Sequence, residues 1–154
     1  MVPVGGERTP IPLLASASNE KQPRVSPDSK WLAYMSNESG RDEVYVRQLA
    51  AGSGRVQVSA GGGGEPLWAP DGRRLFYRAA DKLMEATLTS APGLAVTGRR
   101  IVFDGPYATD MWHPNYDVAP DGQSFVMVRP VGESRRLVLV LNWTRELQAL
   151  RNAK

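Results

Sequence analysis

The strongest constraint on what this chain can fold into is a tight turn that it writes three times. "VSPDSKWLAY" (25–34), "WAPDGRRLFY" (68–77) and "VAPDGQSFVM" (118–127) share one grammar: an apolar strand end, Pro-Asp, a small residue, then a new strand. Pro27, Pro70 and Pro120 preset the φ that the second position of a type I turn requires. Asp28, Asp71 and Asp121 follow, with short side chains that bond nearby backbone N–H groups. Gly72 and Gly122 supply the left-handed residue of a three-residue hairpin with a G1 bulge, and Ser29 in the first copy should make its turn less favourable. Beyond each turn, Leu32 with Tyr34, Leu75 with Tyr77, and Phe125 with Met127 sit two apart, so each pair shares one face of a strand. The expectation is a core between stacked sheets, not a platform for ligand stacking.

Spacing turns the repeat into an architecture. Pro27 to Pro70 is 43 residues and Pro70 to Pro120 is 50. A period near 40–45 with four short strands per unit marks the blades of a β-propeller. The expected fold is therefore all-β, with about three four-stranded blades near 20–59, 65–103 and 114–141. In the second blade "AVT" and "RIVF" read as separate strands, and "GGGGE" (61–65) as a flexible connection between blades. "MVPV" and "IPLLA" within 1–15 read as the last strands of a blade whose start is missing, completing a partial propeller over 1–141. The tail breaks the pattern: Trp143, Leu147 and Leu150 fall at i, i+4 and i+7 behind a plausible N-cap, Asn142, which predicts an amphipathic C-terminal helix over 142–154.

Composition narrows the function classes. A chain of 154 residues is long enough for one domain with a real core. The absence of cysteine excludes disulfide staples, thiolate metal sites and cysteine nucleophiles. The net charge of +3 is mild, and Arg73–Arg74, Arg99–Arg100 and Arg135–Arg136 are scattered pairs that read as solvated hairpin ends. A nucleic-acid partner would need a basic face, so none is expected. No segment approaches the roughly 20 apolar residues of a membrane helix, and the N-terminus lacks the basic region of a signal peptide.

"PRVSPDSKWLAYMSNESGRDEVYVRQL" and "EPLWAPDGRRLFYRA" resemble the WD40-like (PD40) repeats of the TolB family of β-propellers. Together with "YDVAPDGQSFVMVRP" and "LVLVLNWTRELQAL" they are similar to the C-terminal propeller end of bacterial TolB-like proteins and propeller-bearing serine/threonine kinases. The resemblance implies half of a six-bladed propeller, in a family often periplasmic or extracytoplasmic. It implies no kinase activity, since the glycine-rich phosphate loop, "HRD" and "DFG" are all absent. Half-blades at both ends predict that two copies associate, each completing the other's ring as a homodimer.

Catalytic signals are thin. His113 is the single histidine, no G-x-S-x-G elbow is present, and "SNEK" (Ser18 to Lys21) matches S-x-x-K without its partner "KTG". No metal site, cofactor or catalytic residue is expected. The richest loop is "DGPYATDMWHPNYD" (104–117), where Tyr107, Asp110, Trp112, His113 and Tyr116 combine aromatic and polar groups as a ligand-binding loop would. The expectation is a non-catalytic interaction module with a protein or peptide ligand. The alternative is a peptidase- or esterase-like hydrolase on a truncated propeller.

Overall fold

A computed structural model of the chain describes Gly5 and residues 12–50, 54–90, 93–131 and 134–140. These residues form eleven strands and no helix. The first antiparallel sheet runs in chain order through β1 (Glu20–Val25), β2 (Trp31–Ser36), β3 (Glu43–Gln48) and β4 (Arg55–Gln57). The second does the same with β5 (Gly64–Trp68), β6 (Arg74–Ala79), β7 (Lys82–Thr89) and β8 (Ala95–Asp104). The third holds β9 (Tyr116–Val118), β10 (Phe125–Val131) and β11 (Ser134–Val140). Each sheet is the up-and-down meander of a propeller blade. The helix expected over 142–154 lies outside the described residues, as do most of the residues of the strands expected within 1–15.

The repeated turn works largely as its residues dictate. Ser29, Gly72 and Gly122 donate to the carbonyls of Ser26, Ala69 and Ala119 at 2.8–2.9 Å. All three take positive φ, 58° at Ser29, 66° at Gly72 and 65° at Gly122. Ser29 therefore carries the left-handed strain that glycine avoids. The loop is one residue longer than a three-residue hairpin. Ala69 N–H bonds the Arg74 carbonyl at 2.9 Å, so 70–73 form the connection. The aspartate explains the extra residue: Asp71 Oδ1 accepts the N–H of Arg73 at 2.9 Å and of Arg74 at 3.1 Å, replacing ladder bonds with side-chain ones. Asp28 and Asp121 cap the same way, at Lys30 and at Gln123 and Ser124.

Strand alternation divides the core in two. Ala33, Val44, Val46 and Val58 of the first blade meet Leu75, Tyr77 and Ala86 of the second. Phe76, Leu83 and Val102, on the opposite face of the second sheet, meet Tyr116, Phe125 and Met127 of the third. The Phe76 and Phe125 rings pack edge to face with centroids 4.8 Å apart. Leu32 and Tyr34 point away from the second blade and pack with Tyr45, Leu49, Leu13 and Leu14. The paired positions of the repeat are thus core residues, one pair per blade face.

Three further expectations change. "AVT" and "RIVF" are one ten-residue strand, because Gly98 stays in the ladder opposite Thr87 and register shifts on either side absorb the misfit. The glycine run is a built connection: buried Glu43 accepts the N–H groups of Gly61 and Gly62 and the hydroxyl of Ser59. A Cβ on Gly63 would lie 2.5 Å from Ser59 Cβ, so side-chain-free backbone is required there. The arginine pairs are more than solvated ends. Arg99 donates from Nε to the Val58 carbonyl across the blade boundary at 2.6 Å, and Arg100 forms a two-pronged ion pair with Glu85 at 2.8 Å.

Candidate functional site

The site grows out of an irregularity shared by the first two blades. Gln22 in β1 and Glu65 in β5 both stand five residues before the turn proline, and both directly precede another proline. At each the ladder slips, between Lys21 and Arg24 and between Gly64 and Leu67, and the residue takes a positive φ of 54° or 53°. The bulge turns the side chain toward the following blade. Gln22 Oε1 accepts the N–H of Glu65 at 2.6 Å. Glu65, only 2% exposed, accepts from Asp110 N–H at 2.7 Å and from Asn115 N–H at 3.0 Å.

These bonds clamp both shoulders of the loop that follows β8. Gln22 Nε2 adds a bond to the Asp110 carbonyl at 3.0 Å, and Ala108 N–H reaches the Val128 carbonyl at 2.8 Å. Between the clamped points the chain is pushed outward: Met111 is 51% and Trp112 68% exposed. Asp110 Oδ1 accepts the Trp112 N–H at 2.6 Å, and the Lys21 ammonium lies 5.5 Å from the indole centroid. Beside the loop an open cavity of about 530 Å³ is lined by Gly63, Gly64, Glu65, Arg78, Asp110 and Met111.

The five predicted residues separate into two groups. Asp110, Trp112 and His113 lie on the projecting stretch, with His113 exposed. Tyr116 is buried in the blade interface and donates its hydroxyl to the Glu65 carbonyl at 2.7 Å. Tyr107 packs edge to face on Phe103 at 5.6 Å, with the Arg78 guanidinium 5.9 Å from its ring centroid. Those two tyrosines support the loop from below. Lys21, sitting over Trp112, is not paired with Ser18, whose N–H bonds Ser16 Oγ.

Electrostatics follow burial. Desolvation pushes the Glu65 carboxyl above the ordinary carboxylate value, while the N–H groups of Asn115 and Asp110 and the charge of Arg78 pull it back. Burial pulls Arg78 down, opposed most by Glu65. Arg78 Nε and Nη1 have no hydrogen-bond partner among the described residues. Burial also drives the Tyr116 hydroxyl well up, with the Glu65 charge adding to it. Among the described residues no group of three or more acidic or histidine side chains is placed to hold a metal ion, and no helix is long and apolar enough to cross a membrane.

Gln22 and Glu65 escape sequence reasoning because a polar residue before proline reads as surface. Their shared phase, five before the turn proline, is the signal that finds them.

No protein-family model matches the chain, and no curated protein does. Solved structures do. A structure assigned as TolB from Agrobacterium tumefaciens superposes with a TM-score of 0.56 at 18% identity, covering 80% of this chain and 45% of that one. TolB from Acinetobacter baumannii gives 0.53 at 18% identity over 79% of this chain and 30% of its own. Kuenenia stuttgartiensis hydrazine synthase gives 0.51 at 13% identity over 83% and 47%. The chain spans less than half the length of each. Neighbours of such different names share architecture alone. The three sheets have the architecture of β-propeller blades, as in the two TolB structures.

Proposed function

We propose that this chain is a non-catalytic interaction module that presents the 109–114 loop to a protein or peptide partner and self-associates to complete its ring of blades. One observation carries the reading. Buried Glu65 and Gln22 spend their hydrogen bonds on holding the loop's backbone while Met111 and Trp112 stand out in solvent. An exposed aromatic on a preorganised loop binds without a large ordering cost, and tryptophan is the residue type that most often anchors an interface. The adjoining cavity gives an apolar partner side chain somewhere to go. Self-association is supported, among the described residues, by Val25 on β1, which is 53% exposed, and by an open cavity of about 360 Å³ against Val126 and Val128 on β10.

A random peptide library selected on the wild-type chain tests the loop. Selected peptides are expected to bind Trp112→Ala at least about tenfold more weakly, the cost of a removed anchor. Peptides that bind both chains equally place the site elsewhere. Light scattering at several concentrations tests self-association: a stable dimer is expected, and a monomer throughout refutes it.

A further inference from the structure

Among the described residues, the only buried side-chain nitrogen or oxygen atoms without a hydrogen-bond partner are Nε and Nη1 of Arg78. The residue is 3% exposed and stands on β6, where alternation puts it on the face of Phe76, toward the third blade. A guanidinium carries five N–H donors. Here its one bond is long, from Nη2 to the Ala80 carbonyl at 3.4 Å. A hydrocarbon side chain would fill the place without that cost, so the unmet donors ask for an acceptor. The chain does not supply one. Glu65 acts on Arg78 through its charge, while its two oxygens accept the N–H groups of Asp110 and Asn115. Tyr107 meets the guanidinium with its ring, at 5.9 Å. Arg78 nevertheless lies in the wall of the 530 Å³ cavity beside the projecting loop, together with Asp110 and Met111. Gly62, Gly63 and Gly64 add backbone and no side chains to the same wall.

We infer that this cavity is a carboxylate subsite, in which Arg78 receives a carboxylate of the peptide that the 109–114 loop binds. The inference rests on the interaction reading above and adds the chemistry of the partner. A carboxylate matches a guanidinium in plane and in the spacing of its oxygens. The wall also limits the charge. Asp42 and Asp110 share it, so a doubly charged phosphate meets about twice the repulsion that a single carboxylate meets. Burial of the guanidinium makes one well-placed acceptor count for more than it would in open water. Met111 lines the cavity and is the chain neighbour of Trp112, so one short peptide can reach both the indole and Arg78.

The test selects peptides with free C-termini from a random library on the wild-type chain at neutral pH. Each binder is then remade twice, once with Asn or Gln for its Asp or Glu and once with an amidated C-terminus. One of the two changes should weaken binding about 30-fold or more, the loss of a buried charged acceptor, and which one tells a side-chain carboxylate from a chain end. Against Arg78→Met the parent peptide and its amide relative should bind alike. A second measurement needs no variant: in the wild-type chain the NMR signal of Arg78 Nε–H should move on saturation with the parent peptide and stay near its free position with the amide relative. Binders indifferent to both changes, or an Arg78 signal unmoved at saturation, overturn this inference; if those binders still weaken against Trp112→Ala, the loop reading stands. Binders that need their carboxylate and Arg78 but not Trp112 overturn the loop reading and leave the subsite. A library that yields no binder overturns both.

Discussion

Replacing Glu65 by alanine should detach the projecting loop. Its carboxylate accepts two backbone N–H groups, at 2.7 and 3.0 Å, in a site where the residue is 2% exposed. A hydrogen bond to a charged group contributes about 1.5–3 kcal/mol, so the gross loss is roughly 3–6 kcal/mol. Burial of the carboxylate offsets part of this, as its raised pKa records, and a net destabilisation of about 3 kcal/mol is expected. Urea unfolding measures the total. Amide exchange at Asp110 and Asn115 measures the mechanism, and both should exchange faster in the variant than global unfolding alone accounts for. The sign of the pH effect is a further check. A carboxyl whose folded pKa lies above its unfolded value contributes stability that is full below the unfolded value of 4.5 and is lost as pH rises through the folded value. Glu65→Gln should remove that slope while keeping one acceptor. Refutation would be a loss under about 1 kcal/mol, or unchanged exchange at Asp110 and Asn115.

Other perturbations test separate parts of the structure. Ser29→Gly should stabilise the chain by about 0.5–1 kcal/mol in urea, the relief of a left-handed serine less the added freedom of the unfolded glycine; Ser29→Ala should give no gain. Gly63→Ala should cost about 2 kcal/mol in the same assay, because its methyl would lie 2.5 Å from Ser59 Cβ in a connection tied to Glu43. Trp112→Ala should leave the urea unfolding free energy within about 0.5 kcal/mol of wild type while weakening loop-directed peptides at least about tenfold, since the side chain is 68% exposed. The turn carboxylates of Asp28, Asp71 and Asp121 are held below 3.8, so they contribute stability above that value and lose it as pH falls through their folded values. Replacing all three by asparagine should flatten the acid limb of a pH–stability curve.

The elements most legible in the sequence were those governed by local backbone chemistry. Proline, aspartate and a left-handed residue specify the turn almost alone, and once three turns are in phase the strands and their faces follow by alternation. Leu75 and Tyr77 can be assigned to one face from the sequence alone because the period of two admits no other arrangement. What stayed hidden depends on partners far along the chain. Nothing near Glu65 announces that it will meet Asp110 and Asn115, 45 and 50 residues on. The "GGGGE" run reads as loose because the carboxylate that organises its first glycines, Glu43, comes from another strand. Tyr116 looked like a binding residue for a related reason: an aromatic in a polar loop reads as exposed until the strand it begins is seen to lie in the blade interface. Gly98 misled in the opposite direction, since a glycine between two short apolar runs reads as a break unless its ladder partner is known.

The hand-off from Gln22 to Glu65 to Asn115 also gives the stack of blades a direction. Both junctions between the described blades set an acceptor side chain on one side against a backbone donor on the other, so the described stack has a polarity. Like ends brought together would oppose two acceptors or two donors, and at least one buried polar group would go unsatisfied in each pairing. Contacts between unlike ends either close when the rotation per blade completes a circle or run on as a helical fibre when it does not. Under the proposed self-association, the twist between neighbouring blades, which the glycine connection helps to set, is the quantity that would separate a closed ring from a filament.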